Sequence, residues 1–381
     1  MLPRSAWLLL PLTLFACAAN TGADSDDTDT DALDAETAKA TSASVGKLIF
    51  FDPNLSDPPG QSCSTCHDPA HAYADPRPGP TSEGAVKGRF GFRNSPSIVY
   101  SSFTPVLGAA GDETGFSGGL FLDGRVPTLE TQVESPLLNP LEMNNADRAA
   151  VVAKIKASHY AKSFKKVFGK NVFNDVDTAF EHIGDAIAAF ERTGIAKRFT
   201  SKYDAFLAGK VKLTDSETRG LALFEDEKRG NCASCHIDKP GDDGSPPLFT
   251  DFGYDNLGIP KNPANPFYTL PPELNPNGAN FVDHGLSAAI INPRQDGKFK
   301  AQTLRNIALT APYGHNGYFP TLKSIVDFYN TRDVRTAHWD APEVRFDLNV
   351  VDMGNLGLSD QDVADVVAFL ETLTDGFKVP H

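Results

Sequence analysis

Two stretches of the chain, "CSTCH" at 63–67 and "CASCH" at 232–236, set two cysteines one turn apart and a histidine directly after the second. C-x-x-C-H is the attachment spacing of c-type haem. One turn of backbone carries two thiols to the vinyl-derived carbons on one porphyrin edge. The next side chain then aims an imidazole at the iron. Other chemistries fit less well. A zinc ribbon keeps its C-x-x-C units about 15–20 residues apart, and these two lie far beyond that. A thioredoxin-like dithiol has no use for a histidine in both copies, and the flanking sequence does not read as a βαβ unit. Disulfides across so small a loop would leave the two histidines unexplained. The reading is therefore two covalent haems, one on Cys63, Cys66 and His67, the other on Cys232, Cys235 and His236.

What lies across each iron decides what each haem can do. Two strong protein ligands make an electron carrier, whereas an open face can bind peroxide or oxygen. Methionine occurs only at positions 1, 143 and 353. Met353 sits in "VVDMGNLGLSD", a glycine-flanked loop before the last helix, and Met143 in "NPLEMNN". Either can equally be a core residue. No histidine lies between His71 and His159. His71 follows His67 so closely that it is placed on the proximal side, as a hydrogen-bonding surface residue.

The elements that must hold these groups are mainly helical. Thr214 and Glu217 form a capping box, with Leu213 as a staple, ahead of a helix carrying Leu221 and Phe224. Asp177 is expected to start a helix with Phe180, Ile183, Ile187 and Phe190 on one face. Ser359 starts another, with Val363, Val366, Val367 and Leu370. Residues 237–280 are rich in Gly, Pro and Asn and read as a long ordered loop. No strand alternation stands out. The fold class is mainly α, with two cytochrome c-like haem domains and long loops. They are expected at 44–208 and 209–381.

The net charge is −14 over 381 residues, which argues against nucleic-acid binding. Part of that charge is the run "DSDDTDTDALDAE" at 24–36, expected to lie in a disordered acidic tether over 18–43. The N-terminus "MLPRSAWLLLPLTLFAC" has the form of an export signal. Its end resembles a lipoprotein signal over 1–17, with Cys17 as the lipid-bearing residue that anchors an exported, periplasm-side globule. The alternative is plain secretion with Cys17 discarded.

The chain also resembles the bacterial di-haem cytochrome c peroxidase family, which includes a MauG-like branch. "GKLIFFDPNLS", "CSTCHDPAHAYAD", "FRNSPSIVY", "FLDGR", "SPLLNPLEM", "CASCH", "LFTDFGYDNLGIP", "TLRNIALTAPYGHNGYFPTL" and "MGNLGLSDQDVADVVAFL" carry the likeness, in that order, over roughly 44–375. The resemblance implies a peroxidatic haem on His67 and an electron-transfer haem on His236 with Met353 as its axial ligand. It implies Gln132 and Glu142 in the distal pocket, with Pro136 between them and Glu142 as the acid–base carboxylate. Asn94 and the backbone of Thr310 and Pro312 match a calcium site. Hydrogen peroxide and a small c-type cytochrome or cupredoxin donor are the implied partners, and the resemblance allows a homodimer.

Two departures matter. The loop "PTSEGAVKGRFGF" lacks the histidine that caps the resting peroxidatic haem in many relatives, and Glu83 falls near its place. Water or nothing is then expected opposite His67. In "FLDGR", Leu122 replaces a tryptophan that relays electrons between haems, with Phe121 and Tyr100 as conceivable neighbours. Three functions follow from the resemblance. The first is a peroxidase reducing hydrogen peroxide to water. The second is a MauG-like oxidase modifying a partner protein, toward which the missing distal histidine leans and which a tyrosine axial ligand would have favoured, whereas Met353 leans toward the peroxidase, the expected function. The third is a non-catalytic di-haem electron carrier.

Overall fold

The computed structural model describes residues 40–111, 115–195 and 197–380. Cys17, the signal-like segment and the acidic run lie outside the described residues. The chain from Ala40 onward forms one compact unit containing two large hydrophobic cores. Twelve α-helices and four very short strands are present among the described residues.

The first core is built by α1 (Ser42–Phe50), α2 (Cys63–Cys66), α3 (Leu129–Gln132), α4 (Glu134–Leu138), α5 (Arg148–Ala157), α6 (Ala161–Phe168) and α7 (Val176–Glu191). Thr41 caps α1 by accepting from the Ser44 N–H, so the helix begins inside the stretch expected to be a tether. Val45, Ile49 and Phe50 of α1 meet Ile183, Ile187 and Phe190 of α7, all buried. Each such side chain contributes about 1.5–3 kcal/mol by leaving water. The cap of α7 is Asp175, whose carboxylate accepts from the Thr178 N–H at 2.8 Å. Asp177 therefore lies within the first turn rather than at the start.

The second core takes in α8 (Lys202–Leu207), α9 (Asp215–Glu225), α11 (Leu322–Thr331) and α12 (Asp360–Glu371), while the short α10 (Leu286–Ile290) lies outside it. The capping boxes expected at Thr214 with Glu217 and at Ser359 are both formed. Tyr203 of α8 packs into this core.

The two cores repeat one device. Gly46 of α1 lies against the Ala186 carbonyl of α7, and Gly220 of α9 lies against the Asp365 carbonyl of α12. A methyl group at either glycine would overlap that oxygen, so only glycine lets the helices cross this closely. Each crossing is followed in sequence by a C-x-x-C-H motif, which the crossing holds at the edge of its core.

The strands were not legible as alternation because none exceeds three residues. β1 (Gly108–Ala110) pairs antiparallel with β2 (Gly115–Ser117), and β3 (Tyr254–Asp255) pairs antiparallel with β4 (Phe299–Lys300). The second pair lies within and after the long loop read from 237 to 280, and it brings residue 300 back toward the second motif.

Candidate functional site

Both motifs present the same ligand geometry. The His67 Nδ1 lies 3.0 Å from the Tyr73 carbonyl, and the His236 Nδ1 lies 2.9 Å from the Phe249 carbonyl. Each carbonyl belongs to a residue in the left-handed region, Tyr73 at φ 56° and Phe249 at φ 55°. A ring whose Nδ1–H donates to a carbonyl keeps the lone pair on Nε2, the tautomer that binds a metal. Burial pushes both imidazole pKa values below the ordinary range, which keeps them neutral. All four motif cysteines are free thiols. Burial raises Cys63, Cys232 and Cys235 to about 12 and Cys66 to about 11. The donor set fits a covalent haem at each site: two thiols and one neutral imidazole with an available nitrogen.

The two residues expected in the distal pocket lie on either side of α4. Gln132 ends α3 and is half-buried. Glu142 follows α4 across a tight turn, in which Asn139 Oδ1 accepts from the Leu141 N–H at 2.9 Å. Asn139 Nδ2 then donates to Glu142 Oε1 at 2.6 Å. Burial raises the Glu142 pKa, and the Asn139 hydrogen bond and the Arg125 charge hold it back. The carboxylate is close enough to Cys66 to raise that thiol too. The loop lacking a histidine packs directly on this turn. The Ala85 N–H donates to the Glu142 carbonyl at 2.7 Å, and a side chain at Gly84 would overlap the Leu141 and Glu142 carbonyls. Glu83 turns its carboxylate back onto this loop, accepting from the Gly88 N–H at 2.6 Å. His71 is paired at the surface with Asp68 at 3.2 Å.

The second site opens on a cavity of about 280 Å³ lined by His236, Leu122, Asn94, Met353 and Tyr329 among others. Met353 is buried, as its expected role requires, but its sulfur accepts from Arg332 Nη1 at 2.8 Å. Arg332 is itself fixed by the Leu257 carbonyl at 2.9 Å and the Asn349 carbonyl at 2.8 Å. Tyr329 of α11 was missed in the sequence, where it continues the stripe of Leu322 and Val326 and reads as core. Its side chain lines the same cavity as His236. Burial raises its pKa, and Cys235 and Cys232 add to the rise, which places the phenol beside the attachment cysteines. The Gly354 N–H donates to the Tyr329 carbonyl at 2.6 Å, so both potential ligands are held by one junction.

Asn94, Thr310 and Pro312 all border this same cavity. Asn94 is fixed by its N–H to the His315 carbonyl at 2.8 Å and by Nδ2 to the Pro80 carbonyl at 3.2 Å. Met143 is a buried core residue. Leu122 is buried and lines the cavity. Neither expected aromatic substitute stands free. The Arg125 guanidinium covers the Phe121 ring at 3.6 Å, and the Tyr100 hydroxyl donates to Asp375 at 2.8 Å. A cation on its face makes a ring harder to oxidise.

Residues 40–212 match the family model described as di-haem cytochrome c peroxidase. The methylamine utilization protein MauG of Paracoccus denitrificans is 38% identical, covering 96% of this chain and 94% of that protein. The chain belongs to the di-haem cytochrome c peroxidase family. Cytochrome c551 peroxidase of Nitrosomonas europaea is 30% identical over 98% of this chain and 92% of its own length. Among solved structures, the diheme peroxidase BthA from Burkholderia thailandensis is 36% identical with a TM-score of 0.77, covering 88% of this chain and 86% of that one. The protein is thus an oxidoreductase of this family and carries two c-type haems. When bound, those haems supply the redox-active irons on which peroxide chemistry depends.

Proposed function

We propose that the protein is a MauG-like di-haem oxidase, which takes oxidising equivalents from hydrogen peroxide at the His67 site and passes them to a partner protein. The observation that carries this reading is that Tyr329 lines the cavity of His236 while the Met353 sulfur is held by Arg332. A phenolate is a hard, anionic ligand that stabilises oxidised iron, whereas a thioether raises the potential. Tyrosine opposite His236 therefore suits a store of oxidising equivalents, not a port for incoming electrons.

At the first site, Glu142 is the group that moves a proton from the inner to the outer peroxide oxygen. Its raised pKa brings it toward the range in which a carboxyl both accepts and donates near neutrality. Asn139 fixes the carboxylate, and Gln132 supplies an amide across the pocket. With no histidine in the 80–92 loop, the His67 site is open before any reduction. Each haem would sit in its own cytochrome c-like domain. Asn94 with the carbonyls of Thr310 and Pro312 would hold a calcium ion, since amide and carbonyl oxygens suit a hard cation. Export and a lipid anchor on Cys17 complete the proposal. Among the described residues, no helix is long and apolar enough to cross a membrane.

The second reading is a peroxide reductase fed by a small c-type cytochrome or cupredoxin, with Met353 as the axial ligand. The burial of Met353 in the same cavity favours it. One equivalent of peroxide, added in stopped flow to oxidised protein without a donor, separates the two. The oxidase reading expects an oxidised species that persists and is discharged by a tryptophan- or tyrosine-bearing protein. No reaction until a reduced cytochrome is supplied would instead establish the reductase. A plain electron carrier would react in neither case.

A further inference from the structure

Lys300 is a buried cation that the chain itself does not neutralise. It closes β4 and is 7% exposed. Its N–H donates to the Leu122 carbonyl at 2.9 Å, and its ammonium donates to the Gly119 carbonyl. An ammonium has three donors, and one is used. No carboxylate lies within ion-pair distance among the described residues, and Asp123, whose charge acts on Lys300, is itself engaged by two arginines. Asp123 pairs with Arg93 at 2.6 Å and with Arg125 at 2.9 Å. Asp283 pairs with Arg93 at 2.6 Å, and Asp347 with Lys298 at 2.8 Å. Across the strand pair, the Tyr254 hydroxyl donates to the Gly118 carbonyl at 2.6 Å, and Asp255 faces the Cys235 sulfur at 3.8 Å. Burial lowers the Lys300 pKa to about 8.

An isolated charge in such a place costs several kcal/mol unless an anion meets it. Lys300 lines the His236 cavity, as does Leu122. The cavity wall is otherwise mostly apolar, so the anion it awaits must come with what fills the cavity. A haem carries carboxylates on its propionate side chains. We propose that Lys300 is the counter-charge for a haem propionate at the second site, anchoring that haem edge against the Leu122 turn and raising the haem's reduction potential. Lys300 is a positioning residue in this account. The inference needs a haem on His236 but is independent of which reaction the enzyme runs.

Equilibrium redox titration, followed optically on the holoprotein, tests it with Lys300→Met and Lys300→Arg. Loss of the positive charge is expected to lower the reduction equilibrium constant of the second haem at least tenfold, or about 59 mV for one electron. The first haem is expected to move less, and the Lys300→Arg protein should stay within a few-fold of wild type. A methionine variant within twofold of wild type would overturn the proposal. So would an arginine variant shifted as far as the methionine one. If the methionine variant fails to retain its second haem, the arginine variant decides. Retention with a near-wild-type potential supports the role, and loss of the haem or a tenfold drop refutes it.

Discussion

The His67 and His236 sites are the same on one side and different on the other. Each follows a glycine-mediated helix crossing. Each directs its histidine Nδ1 onto a carbonyl presented by a left-handed residue. Across the ring they diverge. Glu142, held by Asn139, lies near Cys66 at the first site, while Tyr329, Met353 and a buried lysine line the cavity of the second. The shared half is what attaching a haem demands. Under the proposed function, the differing half would separate reacting with peroxide from holding an oxidising equivalent. One structural plan, used twice, would then serve two roles through a few side chains that lie far in sequence from the motifs.

The largest effect should come from the group unique to the first site. Glu142→Gln is expected to slow the reaction with peroxide by about a hundredfold or more. The absorption spectrum of the second haem should stay unchanged. Stopped-flow rates and spectra on the same sample read both, and a loss under tenfold would remove Glu142 from the proton path.

A second contrast lies at the helix ends that close the two cores. Glu191 ends α7 and is buried, while Glu371 ends α12 and is exposed. Burial raises Glu191 to about 8 from an ordinary 4.5. The folded state therefore binds this proton more tightly than the unfolded chain. The stability linked to it is full below pH 4.5 and is lost as pH rises through about 8. Glu191→Gln should be more stable than wild type by a few kcal/mol at pH 9 and converge with it near pH 5, as read by urea denaturation.

The shared half can be broken symmetrically. Gly46→Ala and Gly220→Ala each place a methyl group on a facing carbonyl. Each is expected to cost about 1–3 kcal/mol or more, mainly in its own core. Loss of haem from only the corresponding motif would sharpen the picture of two separately built sites, and equal loss from both would argue against it. The smallest effect is expected from Asn139→Ala. Its hydrogen bond lowers the Glu142 pKa, so its removal should move the acidic limb of the pH–rate profile upward and reduce the rate a few-fold below that limb.

The attachment chemistry was legible because C-x-x-C-H is local, with the ligand, thiols and turn in one short stretch. The helices were legible from caps and periodicity, although Asp175 rather than Asp177 caps α7, since both are acids before the same apolar face. The place of Tyr329 was not legible. It lies on an amphipathic stripe whose spacing is that of any core helix, and only the packing of α11 puts it on the wall of the His236 cavity. Met353 drew notice for rarity, yet its sulfur meets Arg332, a contact that spacing cannot show. Lys300 was equally silent, because its burial depends on a strand pair of two residues each.

The central claim is that the first site is open and the second is closed by tyrosine. EPR of the oxidised holoprotein, compared with Tyr329→Phe and Met353→Leu, tests it most directly. The account predicts one high-spin and one low-spin ferric signal, with the low-spin signal altered by Tyr329→Phe and kept by Met353→Leu. Two low-spin signals in the wild type, or a low-spin signal lost with Met353 and indifferent to Tyr329, would contradict it.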